Sequence, residues 1–283
     1  MKILIFGGNG MLGHELVRSF EKRYDVWNTI RSEFSRVSGF GIFDESKTIC
    51  SVKAEDTPSI RRAIELARPD IVINAVGIIK QLPSSKDVIT TLTVNSIFPH
   101  RLAEMSSEFG FRLITVSTDC VFDGVKGNYS ESDVPNATDL YGKSKNLGEV
   151  TADNCLTLRT SIIGRELDSA HSLLEWFIGN RVGIVKGFAN AVYSGFPTVV
   201  LADIMGDLIE KHPGLSGLYH VSSEPINKFD LLNLINSEFG LGIKIEKDTD
   251  FKIDRSLDST RFRNITGLEP KPWNEMIRLM AGN

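Results

Sequence analysis

The chain has 283 residues, of which 41% are hydrophobic, and its 32 Lys and Arg against 36 Asp and Glu give a net charge of −4. This length is enough for one large domain or two unequal ones. The small negative charge gives no reason to expect binding to nucleic acid or to an anionic membrane. Three scattered cysteines argue against a disulfide framework and fit a reducing compartment. Without a CxxC or HExxH motif or an apolar run of membrane-spanning length, we expect a cytoplasmic protein with no metal site and no membrane partner.

The N-terminal stretch orders a strand, a glycine-rich turn and a helix. An apolar run over 3–6 leads into the spacing GGxGxxG, and an amphipathic segment follows over 11–20. Such a turn brings the backbone close to a pyrophosphate, and the helix N-terminus then faces the anion. The residues predicted to bind a dinucleotide here are Gly7, Asn9, Gly10, Met11, Leu12 and Gly13. The alternative is an ordinary glycine-rich turn in another α/β protein.

The end of the second predicted strand, over 25–30, bears on the choice of cofactor. NAD sites usually place an acidic residue about 20 residues beyond the glycines, whereas NADP sites prefer a cation. Arg31 follows the strand, and Glu33 comes slightly late. We therefore predict that Arg31 pairs with the 2′-phosphate of NADPH. A solvated loop arginine, with NADH as the cofactor, is the alternative.

Strands alternate with helices through the first part of the chain. Further strands are predicted at 48–52, 70–74, 111–116 and 156–160, and the helices at 57–67, 90–109 and 139–151. This alternation predicts a Rossmann-type, doubly wound parallel sheet of the α/β class. Ligands of such sheets bind at the carboxyl ends of the strands. The cofactor-binding residues predicted at two further strand ends are Asn74, Ala75, Val76, Gly77 and Ser117.

The pattern changes beyond residue 164. Helical segments are predicted at 172–178, 199–210, 228–239 and 273–280, with a short strand at 218–221 and many turn residues between them. We divide the chain into a dinucleotide-binding domain over 1–164 and a smaller C-terminal α/β substrate-binding domain over 165–283. This division leaves open that some segments of the second domain return to the first.

Three residues have the chemistry of a hydride-transfer site. Tyr141 and Lys145 are four residues apart and share a helix face, and Thr118 ends the fifth strand. A phenol has an ordinary pKa of about 10, and a nearby ammonium favours the phenolate, so we expect Lys145 to lower the pKa of Tyr141. Lys145 also suits the nicotinamide ribose, and Thr118 the reacting oxygen. A Tyr–Lys pair at this spacing is more often a solvated helix edge, but the glycine turn and Thr118 favour catalysis.

These motifs together make the chain resemble an extended short-chain dehydrogenase/reductase, and more closely the dTDP-4-dehydrorhamnose reductase group of nucleotide-sugar reductases. The resemblance spans nearly the whole chain. Its blocks are GGNGMLG (7–13), RPDIVINAVG (68–77), VNSIFPHRLAE (94–104), STDCVFDG (117–124), YGKSKNLGE (141–149), LRTSIIG (158–164), FPTVV (196–200), GLYHVSS (217–223), LDSTRFR (257–263) and PKPWNEMI (270–277).

The resemblance implies NADPH-dependent reduction of the C4 ketone of a nucleotide-activated 6-deoxy sugar, for a surface polysaccharide. It implies Thr118, Tyr141 and Lys145 as catalytic residues, with Tyr141 and Lys145 also at the cofactor. The substrate-binding residues are then Thr118, Asp119, Cys120, Tyr141 and Ile162. It also implies a homodimer through the helices near 90–109 and 139–153. Arg159 could order the substrate side or form a structural salt bridge.

Two departures from the group put its sugar in question. Cys120 stands where the group usually has Tyr, and Ile162 stands where it usually has Trp. Because both aromatic residues would lie near the sugar, a UDP-linked 2-acetamido-2,6-dideoxy-4-ketohexose is an alternative substrate. We expect Cys120 to be a passive pocket residue rather than a reactive thiol.

Other functions remain open on the same scaffold. A nucleotide-sugar epimerase is one alternative, and a 4,6-dehydratase is disfavoured because Cys120 stands where its Glu would be expected. A non-catalytic NADP-binding subunit is the alternative from a different class, since the regulatory subunit of methionine adenosyltransferase is similar to this family.

Overall fold

The computed structural model describes residues 1–180 and 183–282, with the backbone alone at residues 83 and 84. Its strands alternate with helices over the first 160 residues, as the sequence predicts. In chain order the strands are β1 (Lys2–Phe6), β2 (Asp25–Thr29), β3 (Thr48–Ile49), β4 (Ile71–Asn74), β5 (Arg112–Thr118), β6 (Cys155–Thr160), β7 (Ile162–Ile163), β8 (Ile184–Tyr193), β9 (Phe196–Pro197), β10 (Gly217–His220), β11 (Ile226–Asn227) and β12 (Lys244–Asp254).

The helices of the described residues follow the same order. They are α1 (Met11–Phe20), α2 (Thr57–Ala67), α3 (Val88–Leu92), α4 (Phe98–Phe109), α5 (Leu140–Leu147), α6 (Leu173–Gly179), α7 (Thr198–Lys211), α8 (Lys228–Glu238), α9 (Thr260–Thr266) and α10 (Trp273–Ala281). A π-helical turn over Thr93–Ile97 joins α3 to α4. Short 3₁₀ segments lie at Phe34–Arg36, Ser38–Phe40, Glu45–Lys47, Pro83–Lys86 and Asp119–Val121.

Seven parallel strands form the main sheet, in the order β10-β6-β5-β4-β1-β2-β3. This order confirms the predicted doubly wound α/β fold. Successive residues of β1 serve opposite faces, since Ile3 and Ile5 belong to one core and Leu4 and Phe6 to the other. Helices α1 and α7 belong to the first core, which continues through α10 and α8 to the smaller sheet, and α2 and α4 belong to the second. A continuous apolar run is therefore what this buried strand requires.

The chain beyond residue 164 returns to this sheet. Strand β10 pairs with β6, and α7 packs against α1. The buried guanidinium of Arg112, at the start of β5, donates to the carbonyl oxygens of Leu208, His212 and Leu215 at 2.9–3.2 Å. These bonds satisfy carbonyls in and just beyond the last turn of α7, which lack partners within a helix. The division of the chain at residue 164 stays a proposal.

Two long strands were missing from the sequence prediction. Strand β8 pairs in parallel with β12 and antiparallel with β11 in a separate three-stranded sheet. Most residues of β12 are exposed and charged, so the strand has neither the apolar run nor the strict alternation that marks a strand in sequence. Pairing with β8 decides its conformation instead.

Smaller differences concern element ends. Strand β3 ends at Ile49 rather than at 52, and α5 ends at Leu147 rather than at 151. A Cβ at Gly148, just after α5, would lie 1.9 Å from the carbonyl oxygen of Asn95, so the glycine allows close packing against the π-helical turn. Within the described ranges, no helix has the length and apolar character needed to cross a bilayer.

Candidate active site

The turn after β1 is closed by backbone hydrogen bonds. Gly7 has a φ of +82°, and its carbonyl oxygen accepts from the Gly10 amide at 3.0 Å. A Cβ at Gly13 would lie 1.9 Å from that oxygen, so only glycine lets α1 start this close to the strand. A Cβ at Gly10 would meet little besides the Gly7 oxygen, at 3.3 Å. The turn is thus tight at Gly7 and closely packed at Gly13.

The segment after β4 is shaped by two buried asparagines. The Asn74 side chain accepts from the Val76 amide at 3.1 Å and donates to Thr115 at 3.2 Å. Asn95, in the π-helical turn, accepts from the Ile78 amide at 2.9 Å and donates to the Ile78 carbonyl at 3.1 Å. These bonds fix the chain over 74–78 beside the glycine turn. Sequence analysis placed Asn95 in a helix but gave it no role.

Both segments open into one cavity of about 530 Å³, at the carboxyl ends of the strands. Ligand pockets commonly have volumes in the range of about 300–1,000 Å³. The predicted site residues that line it are Asn9, Gly10, Met11, Leu12, Asn74, Ala75, Val76, Gly77, Ser117, Thr118, Asp119, Cys120, Tyr141, Lys145 and Ile162. Gly7, Gly13 and Arg31 are not among the lining residues. The two glycines pack against each other within the turn, and Arg31 is exposed two residues after the end of β2.

Thr118, Tyr141 and Lys145 are brought together by β5 and α5. Asp139 caps α5, since its carboxylate accepts from the Gly142 amide at 2.9 Å, and this fixes where the helix begins. The Lys145 ammonium donates to the Val116 carbonyl oxygen at 2.7 Å. The Thr118 hydroxyl donates to Asp119 and accepts from the Cys120 amide, both at 3.1 Å.

The electrostatics of Tyr141 differ from the prediction. Burial raises the pKa of the Tyr141 phenol well above its ordinary value, and the Cys120 thiol adds to the rise, while a hydrogen bond with Thr118 opposes it. The expected lowering by Lys145 is therefore wrong for the protein alone. Burial lowers the pKa of Lys145 to about 8, with the Glu149 carboxylate opposing that shift. Desolvation thus outweighs the attraction that sequence spacing alone suggested.

Behind Lys145 lies a buried ion pair. Arg159 donates to both carboxylate oxygens of Glu149, at 2.7 and 2.6 Å, and both side chains are about 95% buried. The Ser117 hydroxyl donates to the same carboxylate at 2.6 Å, and His220 lies 3.2 Å from Arg159. Neither Glu149 nor Arg159 lines the cavity. Arg159 therefore forms a structural salt bridge rather than a contact with the substrate.

Asp119 and Cys120 form the floor of the cavity next to Thr118. Burial raises the pKa of the Asp119 carboxyl, while the Cys120 thiol and the Arg255 guanidinium oppose the rise. Burial also raises the pKa of the Cys120 thiol to about 12. A thiol with such a pKa stays protonated near neutral pH, which supports a passive residue rather than a nucleophile.

Other lining residues escaped the sequence analysis because they come from distant parts of the chain. Lys80 forms an ion pair with Asp139 at 2.7 Å and lies 5.6 Å from the centre of the Tyr141 ring. Arg255 donates to the Phe122 carbonyl at 2.9 Å. Two more lining residues are Tyr193, which ends β8, and Lys228, which begins α8. No motif marks these positions, and only the tertiary structure brings them to the cavity. Within the described chain, no three His, Cys, Asp or Glu side chains cluster as a metal site would require.

A parallel sheet with a glycine turn and a Tyr–Lys pair at its carboxyl edge defines the short-chain dehydrogenase/reductase class, in its extended form. The family model described as the RmlD substrate-binding domain matches residues 1–282, so the chain belongs to this family. The resemblance to dTDP-4-dehydrorhamnose reductases is thereby confirmed.

Individual proteins similar to this chain have names that point to different functions. The chain is 24% identical to methionine adenosyltransferase 2 subunit beta of Xenopus tropicalis, over 98% of this chain and 80% of that protein. It is 26% identical to the spore coat polysaccharide biosynthesis protein SpsK of Bacillus subtilis, over 98% and 95% of the two chains. The crystal structure of dTDP-4-dehydrorhamnose reductase from Bacillus anthracis in complex with NADP superposes with a TM-score of 0.81, at 21% identity over 99% and 98% of the two chains. This last likeness is one of fold.

Proposed function

We propose that the protein reduces the C4 ketone of a nucleotide-activated 6-deoxy sugar with NADPH, in the biosynthesis of a surface polysaccharide. One observation carries the proposal: Thr118, Tyr141 and Lys145 line the same cavity as the glycine turn. The names of the Bacillus relatives, which mention a dTDP-4-dehydrorhamnose reductase with NADP and polysaccharide biosynthesis, support the substrate class and the cofactor.

The residues of the glycine turn fit a dinucleotide. Gly13 lets α1 start close to β1, and the first amides of α1 can face an anion because a helix leaves its first amides without partners. Gly10, Met11 and Leu12 would hold the pyrophosphate, and Ala75, Val76 and Gly77 would flank the adenosine side. Arg31 would bind the 2′-phosphate, which favours NADPH over NADH. When bound, the cofactor supplies the hydride.

The proton in this proposal comes from Tyr141. Because the pKa of the phenol is raised by burial, Tyr141 is protonated near neutral pH and can donate to an oxygen that gains negative charge. Thr118, which is hydrogen-bonded to Tyr141, would hold the same oxygen. Lys145, held against Val116, would orient the ribose and offset negative charge on the phenolate.

The sugar would occupy the part of the cavity lined by Asp119, Cys120 and Ile162. A dTDP-4-dehydrorhamnose and a UDP-linked 2-acetamido-2,6-dideoxy-4-ketohexose are the two substrates that the proposal includes. Cys120 is smaller than the Tyr that the group usually has at this position, and it lines the cavity.

The test is NADPH oxidation with dTDP-, UDP- and GDP-linked 4-keto-6-deoxy sugars, compared between the wild type and Tyr141→Phe. We expect turnover on one sugar, lowered by about 10²–10⁴-fold when the proton donor is removed. Tyr219→Phe is the matched control, because Tyr219 is a buried tyrosine that lies outside the cavity. Unchanged turnover in Tyr141→Phe would reject Tyr141 as the proton donor. An epimerase would convert the sugar without net NADPH consumption.

A non-catalytic NADP-binding subunit is the second candidate. The likeness to methionine adenosyltransferase 2 subunit beta over 98% of the chain favours it. Tight NADPH binding together with a stoichiometric protein partner, and no turnover of any sugar, would support this candidate over the reductase.

We also propose a homodimer through α3, the π-helical turn and α5. These neighbouring segments expose Ile89 at 79%, Ile97 at 44% and Leu147 at 59%. Light scattering should give twice the monomer mass, and Leu147→Asp should halve it. A monomeric wild type at micromolar concentration would refute the dimer.

A further inference from the structure

Lys228 brings an unpaired ammonium to the sugar end of the cavity. It is the first residue of α8, and its Nζ lies 4.2 Å from the centre of the Tyr193 ring. Among the described residues, no hydrogen bond or ion pair to this ammonium accompanies the ring contact. Lys228 lines the same cavity as Asp119 and Cys120. Burial lowers the pKa of the Lys228 ammonium, while Asp119 and Cys120 oppose that shift.

Tyr193 adds a second donor without a partner. Its side chain is 95% buried and lines the cavity, and its hydroxyl has no hydrogen-bond partner in the described part of the chain. Buried polar groups in native proteins almost always have a partner, which can be a ligand or an ordered water. The Tyr193 ring also fixes Lys228 by a cation–π contact, so the two donors have a defined relative position.

The chemistry of the pair limits what it can bind. An ammonium has only donors, and the Tyr193 hydroxyl has a proton to donate, so the pair best matches a group that only accepts. Carbonyl, carboxylate and phosphate oxygens are such groups. The Asp119 carboxyl, which lines the same cavity, would repel a carboxylate or a phosphate when ionised, and it can accept a hydrogen bond from an amide N–H. An acylamino group offers both the carbonyl oxygen and the N–H.

We infer that Lys228 and Tyr193, with Asp119, form a subsite for an acylamino substituent on the sugar of the nucleotide-sugar substrate. The inference rests on the proposed function, and it selects the 2-acylamino sugars over the 2-hydroxy sugars. Lys228 supplies a charged donor to the carbonyl oxygen, and Tyr193 both positions that ammonium and provides a second donor. Because Asp119 follows Thr118 directly and lines the same cavity, the subsite would lie within reach of a sugar whose C4 faces Thr118.

The test uses binding, so that it does not depend on turnover. Isothermal titration calorimetry of the protein with saturating NADPH compares the affinity for UDP-N-acetylglucosamine with that for UDP-glucose. The same comparison is made between the dTDP-linked forms of these two sugars. We expect the N-acetyl sugar to bind about tenfold more tightly, as one charge-assisted hydrogen bond would give. Lys228→Met should remove this preference, and Tyr193→Phe should reduce it.

Lys247→Met is the matched control. Lys247 also lies over an aromatic ring, at 5.6 Å from the centre of Phe229, but it is exposed on β12 and does not line the cavity. This variant should keep the full preference. Equal affinity for the two sugars in the wild type, no binding of either N-acetyl sugar, or a preference that survives in Lys228→Met would each overturn the subsite.

Turnover measurements distinguish failure of the subsite from failure of the proposed reductase function. Equal reduction of 2-hydroxy and 2-acylamino 4-keto sugars would refute the subsite and support the reductase. A binding preference that depends on Lys228, without turnover of any sugar, would support the subsite and refute the reductase.

Discussion

The Lys145 ammonium donates a hydrogen bond to the Val116 carbonyl oxygen at 2.7 Å, which ties α5 to the strand that ends in Thr118. The contact holds a cation inside the protein, where its solvation is poor. Burial accordingly lowers the pKa of Lys145 to about 8. The charge state of the site in the free protein is thus set by lysine rather than by Tyr141, because the pKa of Tyr141 is raised.

This relationship predicts how the rate depends on pH. As pH rises through about 8, Lys145 loses its proton and with it the charge that favours the phenolate. The kcat/KM for the sugar substrate should therefore fall above this pH, since this parameter reports groups of the free enzyme. In Lys145→Met the overall rate should be about 10²-fold lower, and the decline near pH 8 should be absent. A decline that persists in the variant would assign it to another group.

The buried Lys145 ammonium should also lower the free energy of unfolding at neutral pH. Its pKa is about 8 in the folded protein, against an ordinary value of 10.5 for lysine. Between these two values the unfolded chain binds more protons, so stability rises with pH there, and below about pH 8 the full penalty applies. Lys145→Met should therefore stabilise the protein at pH 7 by about 2 kcal/mol, after allowing for the lost bond to Val116.

Urea unfolding measures this effect. Lys143→Met is the control, because Lys143 is exposed on the same helix and should change the unfolding free energy by less than about 0.5 kcal/mol. Destabilisation by Lys145→Met at pH 7 would mean that the bond to Val116 outweighs the desolvation of the ammonium.

Arg31 should determine the preference for NADPH. Arg31→Ala should weaken NADPH binding by about 10–100-fold, as the loss of a charge-assisted phosphate contact does, and leave NADH binding unchanged. Fluorescence titration of both cofactors measures this. Arg36→Ala is the control, because Arg36 lies on the neighbouring 3₁₀ segment and is exposed. If both cofactors weaken equally in Arg31→Ala, the contact is not with the 2′-phosphate.

The Glu149–Arg159 pair should show the cost of an unpaired buried charge. Glu149→Gln leaves the Arg159 guanidinium without its carboxylate, and we expect a loss of about 3–5 kcal/mol of unfolding free energy. Replacing both residues by Met should cost less than the single change, because no charge is then buried alone. Thermal and urea unfolding of the two variants measure this. A double variant less stable than Glu149→Gln would show that the pair itself stabilises the fold.

Local sequence patterns were sufficient to predict the main sheet and to bring Tyr141 and Lys145 together as the proposed catalytic pair. Apolar runs such as that of β1 predict buried strands because both faces of a parallel strand are covered. Tyr141 and Lys145 could be paired by helix spacing alone, since residues four apart share a face. The glycine turn was equally readable, because Gly13 meets a steric demand that no other residue satisfies.

Only the tertiary structure decided what surrounds these groups. Strand β12 is exposed and charged, and it forms because β8 pairs with it, which no local pattern encodes. The burial that raises the pKa of Tyr141 and lowers that of Lys145 depends on distant chain segments, whereas spacing reported only their mutual attraction. Lys228 reaches the cavity from a helix about 80 residues further along the chain, because α8 begins at its edge. Sequence therefore determined the proposed reacting groups, and long-range packing determined their solvation and the chemistry of the proposed subsite.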